Sequence, residues 1–380
     1  MRGLITNAHI VRSDGITHGC LLISDGLIDS LKDEECAEVE VIDFEGDFLL
    51  PGLIDIHTDN MEHYLQPRPG VRWPSTLAAV LWHDWQLLGS GITTVLDAIA
   101  LGDYDSAGTR TALLNTMIDG LSAARASHLL KVDHYLHFRC ELSDPGLLPI
   151  VERHIDNPNL RLVSVMDHTP GQRQWQNLTL YREFRRKKNA RVWSEDEFAL
   201  YIDERRQHQL QHVPPARRMI RRLCQERLIC LASHDDTTPR DVEQSHENGI
   251  TISEFPTTIE AARRARELGM SIVMGAPNVV LGGSHSGNVS ATDLADEGLV
   301  DVLTSDYVPG SLLQAAFALT ARGFELAPAI ALITKRPAEL LGFTDRGRIA
   351  PGLRADLLRV RLIDGVPVVR NIWVGGKQYL

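Results

Sequence analysis

Eight short apolar runs, separated by helix-forming segments, occupy the middle of this 380-residue chain. They are 53–57 (LIDIH), 92–97 (ITTVLD), 132–141 (VDHYLHFRCE), 161–167 (RLVSVMD), 228–234 (LICLASH), 250–254 (ITISE), 271–275 (SIVMG) and 301–306 (DVLTSD). Apolar runs of this length suit strands buried on both faces, whereas a spacer such as TTIEAARRARELG suits a helix. Repeated strand–helix units imply a parallel sheet, and eight of them close a barrel. The expected fold class is therefore α/β, a (β/α)8 TIM-type barrel over residues 51–344.

Both ends of the chain are β-rich. LITNAHIV, HGCLLISDG, LIDSL and VEVIDFEGDFLL lie within residues 1–50, with Asp-Gly and Gly breaks between them. Residues 345–380 repeat the pattern in ADLLRVRLIDGVPVVRNIWVGGKQYL, broken at Asp364-Gly365 and Gly375-Gly376. Either end alone would leave strand edges unpaired. The two are expected to meet in one small β-sandwich domain. One barrel connection is too long for a simple crossover. Residues 172–226 carry YREFRRKKNAR and ERRQHQLQHVPPARRMIRRLCQER, a basic, helix-prone insertion. It reads as a solvated helical hairpin, or as a lid whose cations meet a polyanion.

The net charge of −11 gives no global case for nucleic acid. No run approaches the ~18 apolar residues of a membrane span. The first residues, MRGLITNAHIVRSDG, lack the apolar block of a signal peptide. The five cysteines (Cys20, Cys36, Cys140, Cys224, Cys230) show no CxxC spacing, which fits buried, reduced thiols in a cytoplasmic protein. Trp73, Trp82 and Trp85 are read as helix-packing residues, with an aromatic wall for a sugar as the alternative. A homo-oligomer is left open.

In a parallel barrel the chemistry sits at the carboxyl ends of the strands. Those ends carry His57 and Asp59, Arg139 and Glu141, Asp167-His168, His234-Asp235-Asp236, Glu254 and Asp306. Core packing does not explain so many titratable groups, because a buried charge is costly unless it is paired or metal-bound. His57 and Asp59, two apart on a strand, face one side and can aim at one ion. Imidazole and carboxylate suit zinc, manganese or iron. With Glu141, His168 and His234 the set is large enough for two ions sharing a bridging carboxylate. Glu254 and Lys131 compete for the bridge; Glu254 fits a supporting place and Lys131 lies at the wrong strand end. Asp306 is free to accept a proton from water. An anionic substrate in an acidic protein needs local cations and donors. Arg68 and Arg139 face the same side, and the loop GGSHSGN offers Ser284, His285, Asn288 and flexible backbone N–H groups.

At this point the chain resembles the amidohydrolase superfamily over nearly its whole length. The resemblance is carried by PGLIDIHTD, GITTVLDA, ASHDDTT, TSDYVP and the closing GRIAPGLRADLLRV. Within it, HTDNMEHYLQPRPGVRWP (57–74), RCELSDP (139–145), SVMDHTPGQRQ (164–174), ISEFPTT (252–258), MGAPNVVLGGSHSGNVSA (274–291) and TSDYVPGSLLQAAF (304–317) look like the phosphonate-metabolism branch of the carbon–phosphorus lyase pathway. The resemblance implies a metal-dependent barrel hydrolase that converts α-D-ribose 1-methylphosphonate 5-triphosphate to the 5-phosphate and pyrophosphate. It implies metal ligands at His57, Asp59, Glu141, His168 and His234, with Glu141 as the bridge where many relatives use a carboxylated lysine. It implies Asp306 as the group that activates water. Asp59 stands where such sites usually have a second histidine. The superfamily usually places its two later histidines on the fifth and sixth strands, whereas the count above puts them on the fourth and fifth. Two divalent ions are expected, zinc first, with manganese or iron as alternatives.

Two rivals are carried forward. The same site could hydrolyse a C–N bond, as a cyclic amidase or deaminase does. A metal-free barrel could serve as an assembly scaffold.

Overall fold

The computed structural model describes residues 2–31, 39–68, 70–102, 109–189, 192–284 and 287–380. Five strands come first: β1 (Arg2–Arg12), β2 (Gly15–Ser24), β3 (Leu27–Ser30), β4 (Glu40–Asp43) and β5 (Phe48–Pro51). Eight barrel strands follow: β6 (Leu53–Thr58), β7 (Ile92–Leu101), β8 (Asp133–Glu141), β9 (Leu160–Met166), β10 (Cys230–His234), β11 (Ile252–Glu254), β12 (Ser271–Gly275) and β13 (Val302–Thr304). β14 (Leu357–Ile363), β15 (Val366–Val374) and β16 (Lys377–Gln378) close the chain.

The barrel strands pair in sequence order, each parallel to the next. The last meets the first through the Asp306 N–H, which donates to the His57 carbonyl at 2.9 Å, and the Asp59 N–H, which donates back to the Asp306 carbonyl at 3.0 Å. Each sequence-predicted strand overlaps one observed strand. His168 therefore follows the fourth barrel strand and His234 ends the fifth, as the sequence count placed them. Every residue of β6 and β7 is buried, which explains their unbroken apolar character: a barrel strand packs side chains inward and against helices outward. Ile54, Ile56, Leu96, Leu162, Ala232, Ile252, Val273 and Val302 form one of the buried clusters.

The second sheet runs β16-β15-β14-β5-β1-β2-β3, with β4 alongside β1. It thus draws on both ends of the chain, and β5 pairs with β14 across some three hundred residues. Phe44 stacks on Trp373 at 5.9 Å in its core. Arg346 and Arg354 both pair with Asp133 at the foot of β8, which ties the barrel to the segment entering this sheet.

The insertion forms two helices, Leu178–Asn189 and Glu195–Arg227. Ser194 and Glu197 make a capping box at the start of the longer one. Tyr181, Trp193, Phe198 and Ile202 give the insertion its own small core. Arg182 and Arg205 lie over its aromatic rings. The insertion is also docked: Gln209 donates to Asp167 at 2.8 Å.

The tryptophans are a correction. Trp73, Trp82 and Trp85 are 38%, 46% and 47% exposed, so they do not pack a core. Trp73 and Trp82 lie against each other at 5.1 Å, and Lys131 sits over Trp85. The helix Thr76–Gly89 buries its other side, including Ala79, Val80, Leu87 and Leu88, so Trp82 and Trp85 fall on its outer face, and Trp73 lies in the segment before it.

Candidate functional site

The carboxyl ends of the barrel strands turn over in a repeated way. Asp235 and Phe255 directly follow β10 and β11, and Asp306 follows β13 by two positions. All three have left-handed backbone, with φ of 58°, 54° and 55°. In this conformation each N–H reaches the neighbouring strand: Asp235 to Glu254, Phe255 to Val273, Asp306 to His57. Aspartate tolerates the left-handed region through local hydrogen bonding; phenylalanine does not, so its presence there marks strain at the site.

Glu254 sits below this ring of side chains. One carboxylate oxygen lies 2.7 Å from His57 Nδ1 and the other 2.7 Å from His234 Nδ1. The two imidazoles are nearly parallel, 5.9 Å apart, and the Phe255 ring packs edge-on against both. A carboxylate behind Nδ1 fixes the tautomer that leaves Nε2 free. His57 Nε2 is buried and has no hydrogen-bond partner. Burial works against protonation of His57, but the Glu254 charge and hydrogen bond outweigh it and raise its pKa. Glu254 itself is held well below the usual carboxylate range: burial pushes it up, and His57, His137 and His234 more than reverse this.

Glu141 repeats the arrangement around His168. Its Oε2 lies 2.7 Å from His168 Nδ1, while Oε1 accepts from the His168 N–H and the Ser143 hydroxyl. His168 Nε2 then faces Asp235 Oδ2 at 3.5 Å, and His234 Nε2 faces the same oxygen at 3.6 Å. Burial opposes the charge on His168, but Glu141 and Asp235 raise its pKa to about 9.

Arg139 points into the mouth from β8. One guanidinium nitrogen lies 3.3 Å from Asp59 Oδ2 and another 3.4 Å from His234 Nε2. The side chain is 15% exposed. Asp306 is mostly buried, and its pKa is raised, first by burial and then by Asp59, against the pull of His57 and Arg139.

These groups surround a cavity of about 230 Å³. Its lining includes Arg139, His168, His234, Asp235, Asp306 and, from the far loop, Ser284 and Asn288. The structure thus brings together eight sequence-selected residues: His57, Asp59, Arg139, Glu141, His168, His234, Glu254 and Asp306. Ser284 and Asn288 join them. Arg68 is an exposed turn residue bridged to Val71 and is not part of the lining. His285 lies outside the described residues. Lys131 is at the opposite end of β8, 3.8 Å from Asp84. Asp235 was visible at a strand end but not singled out; the doublet Asp235-Asp236 directly after His234 was the available signal. Gln174, Asn278 and Tyr307 also line the cavity without an earlier hint.

The donor set fits a divalent metal. Imidazole nitrogens with carboxylates behind them, next to further carboxylates, are what zinc, manganese and iron sites use. A second buried group, His83–Asp97–His134, has a similar composition but lies between the barrel wall and the helix Thr76–Gly89. There both Asp97 oxygens are taken by imidazoles and His134 Nε2 reaches Asp84, so the group is tied into a charge network in which His83 Nδ1 is left without a hydrogen-bond partner.

No protein-family model matches the chain. It is 42% identical over 378 residues to the α-D-ribose 1-methylphosphonate 5-triphosphate diphosphatase of Escherichia coli (strain K12), covering 99% of both chains. An adenine deaminase of Deinococcus radiodurans is 29% identical over 147 residues, 39% of this chain and 24% of that one. Among solved structures, an amidohydrolase superposes with a TM-score of 0.64 at 18% identity, covering 100% of this chain and 99% of the other. At that identity the likeness concerns the fold.

Proposed function

The chain belongs to the α-D-ribose 1-methylphosphonate 5-triphosphate diphosphatase family, on an amidohydrolase fold, and we propose that it hydrolyses that triphosphate to α-D-ribose 1-methylphosphonate 5-phosphate and pyrophosphate in phosphonate catabolism. The observation that carries this reading is the likeness over 378 residues, 99% of both chains, at 42% identity.

The chemistry follows from the groups at the mouth. Asp306 accepts the proton of the attacking water; burial has raised its basicity toward the range a general base needs. Arg139 offers a fixed guanidinium to phosphoryl oxygens, and Ser284 and Asn288 give neutral polar contacts on the far wall. Arg68, exposed on the loop after β6, is a further candidate for the polyphosphate. Glu254 and Glu141 hold His57, His234 and His168 in place. Together with Asp59, these histidines are the donors we assign to a divalent ion, zinc first and manganese or iron next. When bound, such an ion would polarise the phosphoryl oxygen and lower the pKa of water.

Two finer points belong to the same reading. The four described cysteines are free thiols, which fits a reducing, cytoplasmic setting. Among the described residues no helix is long and apolar enough to cross a membrane.

The test is product analysis with the ribosyl triphosphate. Pyrophosphate release in one step supports the reading; sequential orthophosphate release, or no reaction beside an active control, overturns it. The rival C–N hydrolysis is favoured only by the partial likeness to an adenine deaminase. Ammonia release from adenine, or ring opening of cyclic amides, without pyrophosphate formation would establish it instead.

A further inference from the structure

The outer face of the helix Thr76–Gly89 is apolar where a solvated helix carries polar groups. Its inner face is already covered through Ala79, Val80, Leu87 and Leu88. A second stripe, Leu77, Leu81 and Trp85 at four-residue spacing with Trp82 beside it, lies on the outside. Trp73, from the preceding segment, rests against Trp82 and continues the patch. None of the three rings lines the cavity at the barrel mouth.

The patch is large. A tryptophan side chain carries roughly 250 Å² of surface. Three of them at 38%, 46% and 47% exposure therefore present on the order of 300 Å² between them. Val71, Leu77 and Leu129 are exposed as well. Leu129 joins the patch through Lys131, which lies over Trp85 and donates to the Leu129 carbonyl at 2.6 Å. A contiguous apolar surface of this extent marks an interaction site. It suits the centre of a standard interface, which takes about 800 Å² from each partner.

The charge around the patch identifies the partner. The chain has 50 acidic residues in 380 and a net charge of −11, so two copies repel over most of their surface. Between His63 and Gly102 the only acidic residues are Asp84 and Asp97, and both are buried. An even spread would place about five there. Two copies can therefore meet at this patch without carboxylate facing carboxylate. The cations bordering it, Arg72 and Lys131, are engaged with Thr116 and Trp85.

We propose that this face joins two copies of the chain about a two-fold axis, with Trp73, Trp82 and Trp85 of each packed against the helix Thr76–Gly89 of the other. A two-fold pair uses one self-complementary patch, and aromatic rings at its centre carry most of the binding energy. The same helix adjoins the site. Gln86 Oε1 accepts from Asn60 Nδ2 and from the Tyr64 hydroxyl, and Asn60 directly follows Asp59, so the paired face borders the mouth without entering it.

Sedimentation velocity on the full-length chain, from low to high micromolar concentration, reads the mass directly and does not depend on turnover. The wild type is expected to run as a dimer at the high end. Trp82→Glu places a carboxylate in the patch of both copies and should raise the dissociation constant roughly a hundred-fold or more; Trp85→Glu should do the same. Circular dichroism checks that each variant folds, and Leu77→Lys takes the place of one that does not. Leu200→Glu, which alters an exposed leucine on the insertion, should leave the dimer intact. A wild type that stays monomeric, a dimer that survives the substitutions in the patch, or a dimer that Leu200→Glu breaks would each overturn the proposal. A monomer that floats with phosphatidylcholine vesicles would overturn it too, and would give the patch to a membrane surface.

Discussion

Glu254 Oε1 lies 2.7 Å from His57 Nδ1, and neither side chain meets solvent. The same carboxylate holds His234 by its other oxygen. One residue on the sixth barrel strand therefore sets the ring orientation of histidines on the first and fifth. An amide cannot do this, because its nitrogen donates and would meet one imidazole nitrogen that also donates. Glu254→Gln is expected to keep the fold and lower kcat/KM roughly ten- to a hundred-fold, the usual cost of losing such a support. Steady-state kinetics beside a thermal melt checks it, and an unchanged kcat/KM would remove Glu254 from the site.

Asp306 carries the water-activating role. Its backbone is pinned to His57, so a change in the side chain leaves the closure of the barrel intact. Asp306→Asn should abolish pyrophosphate release while the chain still binds its metal. A near-normal rate in this variant would show that another group takes the proton.

The buried network outside the site predicts a pH-dependent stability. Burial disfavours charge on His134, but Asp97 at 2.7 Å and Asp84 at 3.3 Å outweigh it and raise its pKa to about 9. The unfolded value is near 6.5. The stabilisation is therefore complete below about pH 6.5, fades as pH rises, and is gone above about pH 9. It amounts to a few kcal/mol by linkage. Asp97 moves the opposite way: burial would raise its pKa, but the two histidines lower it. Its contribution is present above about pH 4 and is lost only at strongly acid pH. Urea midpoints should fall between pH 6.5 and 9.5 in the wild type, and His134→Gln should flatten that slope. An equal slope in the variant would place the titrating group elsewhere.

These contrasts show what the sequence could carry. The barrel was readable because two-sided burial leaves strands such as ITTVLDAIAL without polar alternation. The site was readable because His57, Glu141, His168, His234 and Asp306 sit where strands end, and their residue types make poor core. Glu254's hold on two histidines was not readable, since it joins positions 197 and 20 residues away through barrel closure. Nor was the left-handed backbone of Phe255, which no local propensity favours. The tryptophans misled because the helix Thr76–Gly89 is apolar on two faces and periodicity does not say which one is covered. The insertion's Arg-rich segments misled in part, since Arg182 and Arg205 lie over its own aromatic rings.

The loop carrying His168 is held by a buried ion pair. Arg173, itself left-handed at φ 44°, pairs with Asp236, and both side chains are almost fully enclosed. Asp236 follows His234 by two residues, so this pair ties the fourth-strand loop to the end of the fifth strand. Removing one partner strands the other: Asp236 Oδ2 already lacks a hydrogen bond, and Oδ1 would keep only Ser245 at 3.4 Å. Arg173→Met is expected to cost about 3–5 kcal/mol, as for other broken buried pairs. The double variant Arg173→Met/Asp236→Leu removes the orphaned charge and should recover most of that loss. Chemical denaturation of the two variants and the wild type measures both values. A double variant no more stable than Arg173→Met would mean that the arginine stabilises the loop through its other neighbours, such as Asp167 and Asp241, rather than through Asp236.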